Sequence, residues 1–128
     1  MISLTPVLFV EKIEPSLDFW EKGLGFKRPM EVPGEGGLAF VMLKLGDIEV
    51  MYQTYPSLEE DLPKIAKEAK GSPNFLYIKV DDLDEVINKL KGFEVAVKRR
   101  QTFYGADEIG YKEPGGHFIT FAEFKNQQ

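Results

Sequence analysis

The chain has 128 residues, of which 43% are hydrophobic, so it is long enough for one domain with a substantial core. Its net charge of -5 argues against nucleic-acid binding, and the lack of cysteine excludes disulfides, which fits the cytoplasm that we expect as its location. The sequence shows neither the roughly 18 apolar residues of a membrane span nor a basic segment before an apolar run at the N-terminus, so we expect a soluble, unprocessed protein without membrane contact.

The first half of the chain has the pattern of a strand, a helix and three further strands. Residues 5–10 are nearly all apolar, which is typical of a strand covered on both faces. The helix is predicted from apolar side chains at helical spacing, which are Ile13, Leu17, Trp20 and Leu24. Residues 30–37 are rich in proline and glycine and indicate a loop or hairpin connection. Residues 40–52 then predict a hairpin with its bend at Gly46 and Asp47.

Residues 56–72 are mostly charged and are predicted to be a helical connector between two halves of the chain. Pro63 is expected to start a new helix or to kink one, because proline cannot donate the interior hydrogen bond and crowds the preceding turn. Gly71, Ser72 and Pro73 close the segment. We interpret its charges as a solvated face and not as a site.

From Asn74 the pattern of the first half repeats at an offset of about 70 residues, which indicates a duplicated module. Residues 75–80 predict a strand, and Asp82 with Glu85 resembles the capping box of a helix start. The helix is predicted from apolar residues at i, i+3, i+4 and i+7, which are Leu83, Val86, Ile87 and Leu90. Residues 104–121 predict two antiparallel strands, which a tight turn joins at Glu113-Pro114-Gly115-Gly116.

Two segments resemble the signatures of the vicinal oxygen chelate superfamily, which includes glyoxalase I, extradiol dioxygenases, fosfomycin resistance enzymes and bleomycin resistance proteins. Residues 10–20, followed by Leu24-Gly25-Phe26, are similar to its opening signature. Tyr104-Gly105 with Glu108, and then the turn at residues 113–116, resemble its closing signature of Tyr-Gly, a Glu and Asp-Pro-Asp-Gly. The similarity spans nearly the whole chain and both halves.

The resemblance implies an α+β fold of tandem βαβββ modules, whose curved mixed sheet surrounds a central cleft. Residues 1–128 are then a single domain made of module 1 (residues 1–55), the connector helix (56–72) and module 2 (73–126). It also implies a homodimer, and dimerisation would bury exposed sheet edges.

The resemblance further implies where a metal would be held. In metal-dependent members the ligands come from the first and last strands of each module, typically one His and one Glu in each. The corresponding residues here are Thr5, Glu49, Phe75 and Thr120. Only Glu49 is a strong ligand, and one carboxylate with two hydroxyls is a poor site for zinc, nickel or iron. We therefore expect no metal and no other cofactor.

Alternation along each strand extends these four positions into a predicted cleft lining, with Phe9, Lys79 and Ala122 on the same faces. The lining is aromatic and aliphatic with few polar groups, which suits a planar or hydrophobic small molecule. Alternatively, the aromatic side chains fill the cup as part of the core. The predicted ligand-binding residues are Thr5, Val7, Glu49, Met51, Gln53, Phe75, Tyr77, Tyr104, Phe118 and Thr120.

Four further features of the sequence have two interpretations each. Glu49 is the candidate catalytic residue, as a proton acceptor or a partner of a cationic ligand, or it is an ordinary exposed strand residue. Glu108 matches a position near the cleft rim, but we expect a surface strand carboxylate. His117 is expected to be a turn-flanking side chain in water, with a general base as the alternative. Residues 98–100 are expected to be a solvated basic strand end, with anion binding as the alternative.

The sequence therefore predicts a metal-free binding protein, similar to the bleomycin resistance proteins, that sequesters a drug or another small molecule. One alternative is a glyoxalase-like lyase or a dioxygenase of the same superfamily with an atypical site. Another alternative is a non-catalytic structural or regulatory dimer.

Overall fold

The computed structural model describes residues 1–125, and these fall into two compact units. Unit 1 spans Met1–Ser72 and unit 2 begins at Pro73. Each unit contains one four-stranded mixed sheet and has the predicted order of a strand, a helix and three strands. The α+β fold with tandem βαβββ modules is therefore confirmed. Residue 126, the predicted end of module 2, lies outside the described residues.

In unit 1 the strands are ordered β1-β4-β3-β2, with β1 parallel to β4 and the other neighbours antiparallel. Its elements are β1 (Val7–Val10), α1 (Glu14–Leu17), a π-helical segment (Asp18–Gly23), β2 (Lys27–Gly34), β3 (Gly37–Leu45), β4 (Ile48–Thr54), α2 (Tyr55–Asp61) and α3 (Pro63–Ala69). Pro63 starts α3, as predicted, because a proline in the first helical turn needs no intrahelical donor. Residues 30–37, predicted as a loop or hairpin connection, form the end of β2, the turn and the first residue of β3.

The first helix of unit 1 differs from the prediction in its second half, which is π-helical. The Leu24 N–H donates to the carbonyl of Phe19, five residues earlier, at 3.2 Å. Gly25 then adopts a φ of 84°, a conformation that glycine allows and that ends the helix. The segment buries Phe19 and Trp20 completely, so it supplies the centre of the core in this unit.

Unit 2 repeats the arrangement, with its strands ordered β5-β8-β7-β6 and with β5 parallel to β8. Its elements are β5 (Phe75–Lys79), α4 (Leu83–Lys89), β6 (Glu94–Gln101), β7 (Ala106–Lys112) and β8 (Phe118–Phe124). The apolar face of α4 is buried through Leu83, Val86 and Leu90. The tight turn predicted between the last two strands is present, and Gly116 adopts a φ of 95° in it.

In unit 1 one face of the sheet is covered and the other is open. In unit 2 residues 106–111 of β7 and 119–122 of β8 are buried on both faces, and only the edge strands are exposed; we call the side of this sheet that carries the exposed Phe75 and Tyr77 its open face. Along β4, Val50 and Tyr52 are buried, whereas the alternating Glu49, Met51 and Gln53 are only half-buried. The prediction that the first strand is covered on both faces is wrong, because Val7 lies on the open face of β1 and is exposed. Apolar character in a short edge strand therefore did not mean burial on both sides.

The start of α4 is capped as the sequence predicted, since Asp82 Oδ1 accepts a hydrogen bond from the Glu85 N–H at 3.1 Å. We expect Asp82→Ala to lower the free energy of unfolding by about 1 kcal/mol, because the N–H loses its acceptor. Urea denaturation followed by circular dichroism would measure the change. Asp81→Ala, at the exposed residue before the cap, is the control, and an equal effect of the two variants would contradict the capping role.

Within residues 1–125, every helix is too short or too polar to cross a membrane.

Candidate functional site

The open face of unit 1 brings together two of the predicted site residues that are 44 residues apart in sequence. Thr5 Oγ1 donates a hydrogen bond to Glu49 Oε1 at 2.9 Å. In the parallel pairing of β1 with β4, Val7 lies opposite Met51. These four residues therefore form one continuous, partly apolar surface with a single carboxylate.

Gln53 lies at the end of this surface and contacts the first connector helix. Its Nε2 donates to Ser57 Oγ on α2 at 3.0 Å. The neighbouring strand β3 adds Met42, an apolar residue that is not among the predicted site residues. Met42 is paired with Met51 and so lies on the same face. Lys44 is paired with Glu49 in the same way, so a cationic residue lies beside the candidate carboxylate on the neighbouring strand. Alternation along β3 would have identified both residues.

The open face of unit 2 contains the other predicted residues. Phe75 is paired with Phe118 and Tyr77 with Thr120 across the β5–β8 ladder. Phe75 is 63% exposed and Tyr77 is 41% exposed, whereas Thr120 is only 4% exposed. Thr120 is therefore part of the floor of this surface, and the two aromatic side chains stand at its open side.

Gly110 makes room for the Thr120 hydroxyl on the same floor. A Cβ at this position would lie 3.1 Å from Thr120 Oγ1 and 3.1 Å from the Cβ of Val97 on β6. Such contacts are tighter than ordinary van der Waals separations, so a larger residue would force its neighbours to move. The absence of a side chain at Gly110 thus keeps the floor flat across three strands.

Glu108 on β7 is the centre of a polar cluster on this face, and it is 2% exposed. Its Oε2 accepts from the Tyr77 hydroxyl at 2.7 Å and from the Tyr104 hydroxyl at 3.0 Å. Its Oε1 accepts from Arg100 Nη2 at 2.8 Å and Nε at 3.0 Å, and from the Tyr104 hydroxyl at 3.2 Å. We call Tyr77, Arg100, Tyr104 and Glu108 the Glu108 cluster.

The hydrogen bonds of the cluster decide the charge of Glu108. Burial raises the pKa of this carboxyl, but hydrogen bonds from Tyr77, Arg100 and Tyr104 more than offset it, so the pKa lies below its ordinary value. Burial, followed by the hydrogen bond to Glu108, raises the pKa of Tyr77. At neutral pH the cluster therefore consists of an ionised carboxylate and a protonated Tyr77 phenol.

Aromatic rings surround the cluster. The ring centroid of Phe124 lies 6.5 Å from that of Tyr77 and 6.2 Å from that of Tyr104. Lys79 Nζ lies 4.8 Å from the centroid of the Phe124 ring, a cation–π contact. The surface thus combines exposed ring faces with two phenol oxygens, which is the composition of a site for a flat molecule with a polar group.

Two predictions about titratable residues are wrong. Glu108 is a buried, fully hydrogen-bonded carboxylate and not a surface one, because Tyr77 and Arg100 come from other strands to cover it. His117 is 2% exposed and not in water. Its Nδ1 accepts from the Asn74 N–H at 2.8 Å, and its own N–H donates to Glu113 Oε1 at 2.7 Å. His117 therefore fixes the β7–β8 turn to the start of β5.

The basic segment at residues 98–100 is exposed, as expected for a solvated strand end, but two of its charges are paired. Arg99 forms ion pairs with Asp107 at 2.8 Å and with Asp84 at 2.7 Å, so it links β6 to β7 and α4. Arg100 is held by Glu108. These pairings leave less charge for an external anion than the sequence indicated.

The residues at the four implied metal-ligand positions do not fit a transition-metal ion. Glu49 is the one carboxylate, Thr5 is hydrogen-bonded to it, and Phe75 has no donor atom. Within residues 1–125, no three His, Asp or Glu side chains are grouped so that they could hold a metal ion. Zinc, nickel and iron need several imidazole, thiolate or carboxylate ligands, and this set offers one.

A cavity of about 710 Å³ lies elsewhere in unit 1, beside the tip of the β2–β3 hairpin, and none of the predicted site residues lines it. Glu14 fixes the hairpin there, because its Oε2 accepts from the Leu38 N–H at 2.7 Å. This hydrogen bond outweighs desolvation and holds the pKa of Glu14 below its ordinary value. A Cβ at Gly37 would lie 2.8 Å from Glu14 Oε2, so the contact requires glycine at this position.

The chain matches the family model described as Glyoxalase/Bleomycin resistance protein/Dioxygenase superfamily over residues 3–121. No curated protein matches it significantly in sequence.

Solved structures of the same fold include an enzyme and two binding proteins. A lactoylglutathione lyase from Agrobacterium tumefaciens is 16% identical with a TM-score of 0.74, over 96% of this chain and 98% of its own. TnmS3, an antibiotic binding protein from Streptomyces sp. CB03234, is 22% identical with a TM-score of 0.67, over 97% of this chain and 98% of its own. A bleomycin-binding protein complexed with bleomycin is 17% identical with a TM-score of 0.69, over 98% of this chain and 100% of its own. These likenesses establish the fold.

Proposed function

The chain belongs to the Glyoxalase/Bleomycin resistance protein/Dioxygenase superfamily, and we propose that within it the protein is a metal-free binding protein that sequesters a small aromatic or hydrophobic molecule, such as a drug. One observation carries the proposal. The positions that would hold a metal supply a single carboxylate, while the open faces of both sheets present half-exposed aromatic and aliphatic side chains. Burial of ring surface is then the means of holding the ligand.

The named binding proteins of this fold support the same function. TnmS3 is an antibiotic binding protein, and another protein of this fold binds bleomycin. We propose the same mode for this chain, with the ten predicted residues, from Thr5 to Thr120, as its ligand contacts. A cytoplasmic location and a homodimer remain part of the proposal.

A glyoxalase-like lyase is the second candidate, and the lactoylglutathione lyase of the same fold favours it. Glu49 would then be the proton acceptor, since it is half-buried and its Oε1 already accepts one hydrogen bond from Thr5. Metal analysis of the purified protein separates the two functions. One tightly bound transition ion per chain would favour the enzyme and contradict metal-free sequestration.

Binding of a panel of bleomycin and planar aromatic molecules would test the proposal by calorimetry and by thermal unfolding. We expect at least one molecule to bind and to raise the unfolding temperature, because a ligand at 100 times its Kd stabilises the folded state by about 2.7 kcal/mol. An absence of heat and of stabilisation across the panel would contradict the proposal.

The variant Phe75→Ala would locate the ligand on the open face of unit 2. We expect about tenfold weaker binding, since the exposed ring is lost as a stacking surface and tenfold corresponds to about 1.4 kcal/mol. Val95→Ala is the matched control. Val95 is also exposed, but it is paired with the buried Tyr111 and so lies on the other face of the sheet. Equal effects of the two variants would place the ligand elsewhere.

A further inference from the structure

The positions of the hydroxyl protons in the Glu108 cluster follow from its chemistry. Arg100 forms two hydrogen bonds to Glu108 Oε1, so the buried carboxylate is ionised and has no proton to donate. Each tyrosine hydroxyl in contact with it must therefore be the donor. Tyr77 donates to Oε2 at 2.7 Å, and Tyr104 is shared between the two oxygens at 3.0 and 3.2 Å.

Both phenol oxygens consequently offer only lone pairs to a ligand. A hydroxyl has one proton to donate, and both Tyr77 and Tyr104 donate theirs to the Glu108 carboxylate. Both side chains are more than 40% exposed, so they are available to a ligand on this face. A ligand group that has only acceptors would leave these oxygens unpaired on desolvation, whereas an N–H group would pair with them.

The rings beside the cluster set the second requirement. Phe75 is 63% exposed. The ring centroid of Phe124 lies 6.5 Å from that of Tyr77 and 6.2 Å from that of Tyr104. A flat ring would therefore stack beside the two phenol oxygens. Lys79 already lies over the Phe124 ring, so a cation on the ligand would gain from the negative faces of Phe75, Tyr77 and Tyr104.

We propose that this face selects aromatic ligands that carry a hydrogen-bond donor, a protonated amine or another N–H group, over ligands of the same shape that carry only acceptors. The selection rests on the proposed function and specifies its ligand class. Glu108 acts as a positioning residue, because it orients the two hydroxyls and does not itself face the ligand.

Four naphthalene derivatives would serve as probes. They share one ring system, and together they separate the effect of ligand charge from the effect of whether the ligand donates or accepts a hydrogen bond. 1-Naphthylmethylamine is a cationic donor and 1-naphthylacetate an anionic acceptor, while 1-aminonaphthalene and 1-acetylnaphthalene are a neutral donor and a neutral acceptor. Each would be titrated into the full-length protein, with the backbone amide NMR signals of Tyr77, Glu108 and Thr120 as reporters of the site. We expect each donor to bind about tenfold or more tightly than its acceptor counterpart.

Variants of the cluster test the cause of the preference. In Glu108→Gln the amide can donate, so the tyrosine hydroxyls are released to turn their protons toward the ligand, and we expect the neutral pair to bind almost equally. Tyr104→Phe removes one of the two acceptors at an exposed side chain and should reduce the preference even if Glu108→Gln does not fold. A merely structural role of Glu108 would change all four affinities by the same factor.

The outcomes separate the inference from the proposed function. Acceptors that bind at these reporters as tightly as donors, or more tightly through the Arg100 guanidinium, would overturn the donor preference and leave sequestration intact. If members of the broader panel bind the protein but none of the four probes binds at this face, the donor preference fails and sequestration stands. If nothing binds anywhere on the protein, both proposals fail.

Discussion

Replacing Trp20 with alanine is expected to lower the free energy of unfolding by about 3–5 kcal/mol, the cost of removing a buried tryptophan. Trp20 is completely buried, and its ring makes edge contacts with Phe19 and Phe26 at centroid distances of 5.4 and 4.9 Å. Its Nε1 also donates to the Tyr52 hydroxyl at 2.8 Å, so the π-helical segment and β4 lose a buried hydrogen bond together with the packing.

Guanidinium unfolding followed by far-UV circular dichroism would measure the loss, because Trp20 is the only tryptophan and its fluorescence is absent from the variant. Tyr52→Phe is the matched control. It removes the same hydrogen bond but keeps the indole ring of Trp20, so we expect the free energy of unfolding to fall by only about 1 kcal/mol. If Trp20→Ala costs no more than Tyr52→Phe, packing of the indole ring is not what stabilises unit 1.

Most elements of the fold could be predicted because their signals are local. The helix start at Asp82 depends on an N–H three residues away, and the new helix at Pro63 depends on the ring of that one residue. The bend at Gly46 has a φ of 59°, which glycine adopts readily. Each of these features follows from a short stretch of sequence, and the repeat of the pattern in the second half strengthens all of them.

The environments of Glu108 and His117 could not be predicted in this way, because their partners are distant in sequence. Tyr77 is 31 residues from Glu108, and Asn74 is 43 residues from His117. Alternation assigns a residue to a face, but it does not say whether side chains from other strands cover it. Burial of a polar group therefore depends on the register between strands, which composition and spacing leave open.

One part of the Glu108 cluster did have a signal in the sequence. Arg100 and Glu108 are paired across the β6–β7 hairpin, and each is four residues from Tyr104. A hairpin centred on Tyr104 places opposite charges directly across from each other, which is a favourable cross-strand pair. Interpreted separately, as a basic segment and as a surface carboxylate, these residues do not predict the pairing.

We expect Glu108→Gln to lower the free energy of unfolding by about 2–3 kcal/mol at pH 7. The amide keeps the shape of the side chain but loses the charge that strengthens its hydrogen bonds with Arg100, Tyr77 and Tyr104, and hydrogen bonds to charged groups contribute about 1.5–3 kcal/mol each. These bonds belong to one cluster whose members are coupled, which keeps the total below the sum of the separate bonds.

The difference between the wild type and Glu108→Gln should also depend on pH, in a direction that the pKa of Glu108 fixes. Because this pKa is lowered in the folded state, the carboxylate stabilises the fold fully above its unfolded pKa, near the ordinary value of 4.5, and the contribution is lost as the pH falls through the folded pKa. Glutamine does not titrate, so the two unfolding curves should converge in acid. Chemical denaturation from pH 7 to about pH 3 would measure this.

Glu94→Gln separates a special role of Glu108 from a general effect of removing a carboxylate. Glu94 lies on β6 of the same sheet and is exposed, so its loss is expected to change the free energy of unfolding by less than about 0.5 kcal/mol. A loss in Glu108→Gln no larger than that in Glu94→Gln would mean that shape, which glutamine keeps, and not charge stabilises the cluster. The tyrosine hydroxyls would then not be held as donors, and the preference for N–H ligands would lose its physical basis.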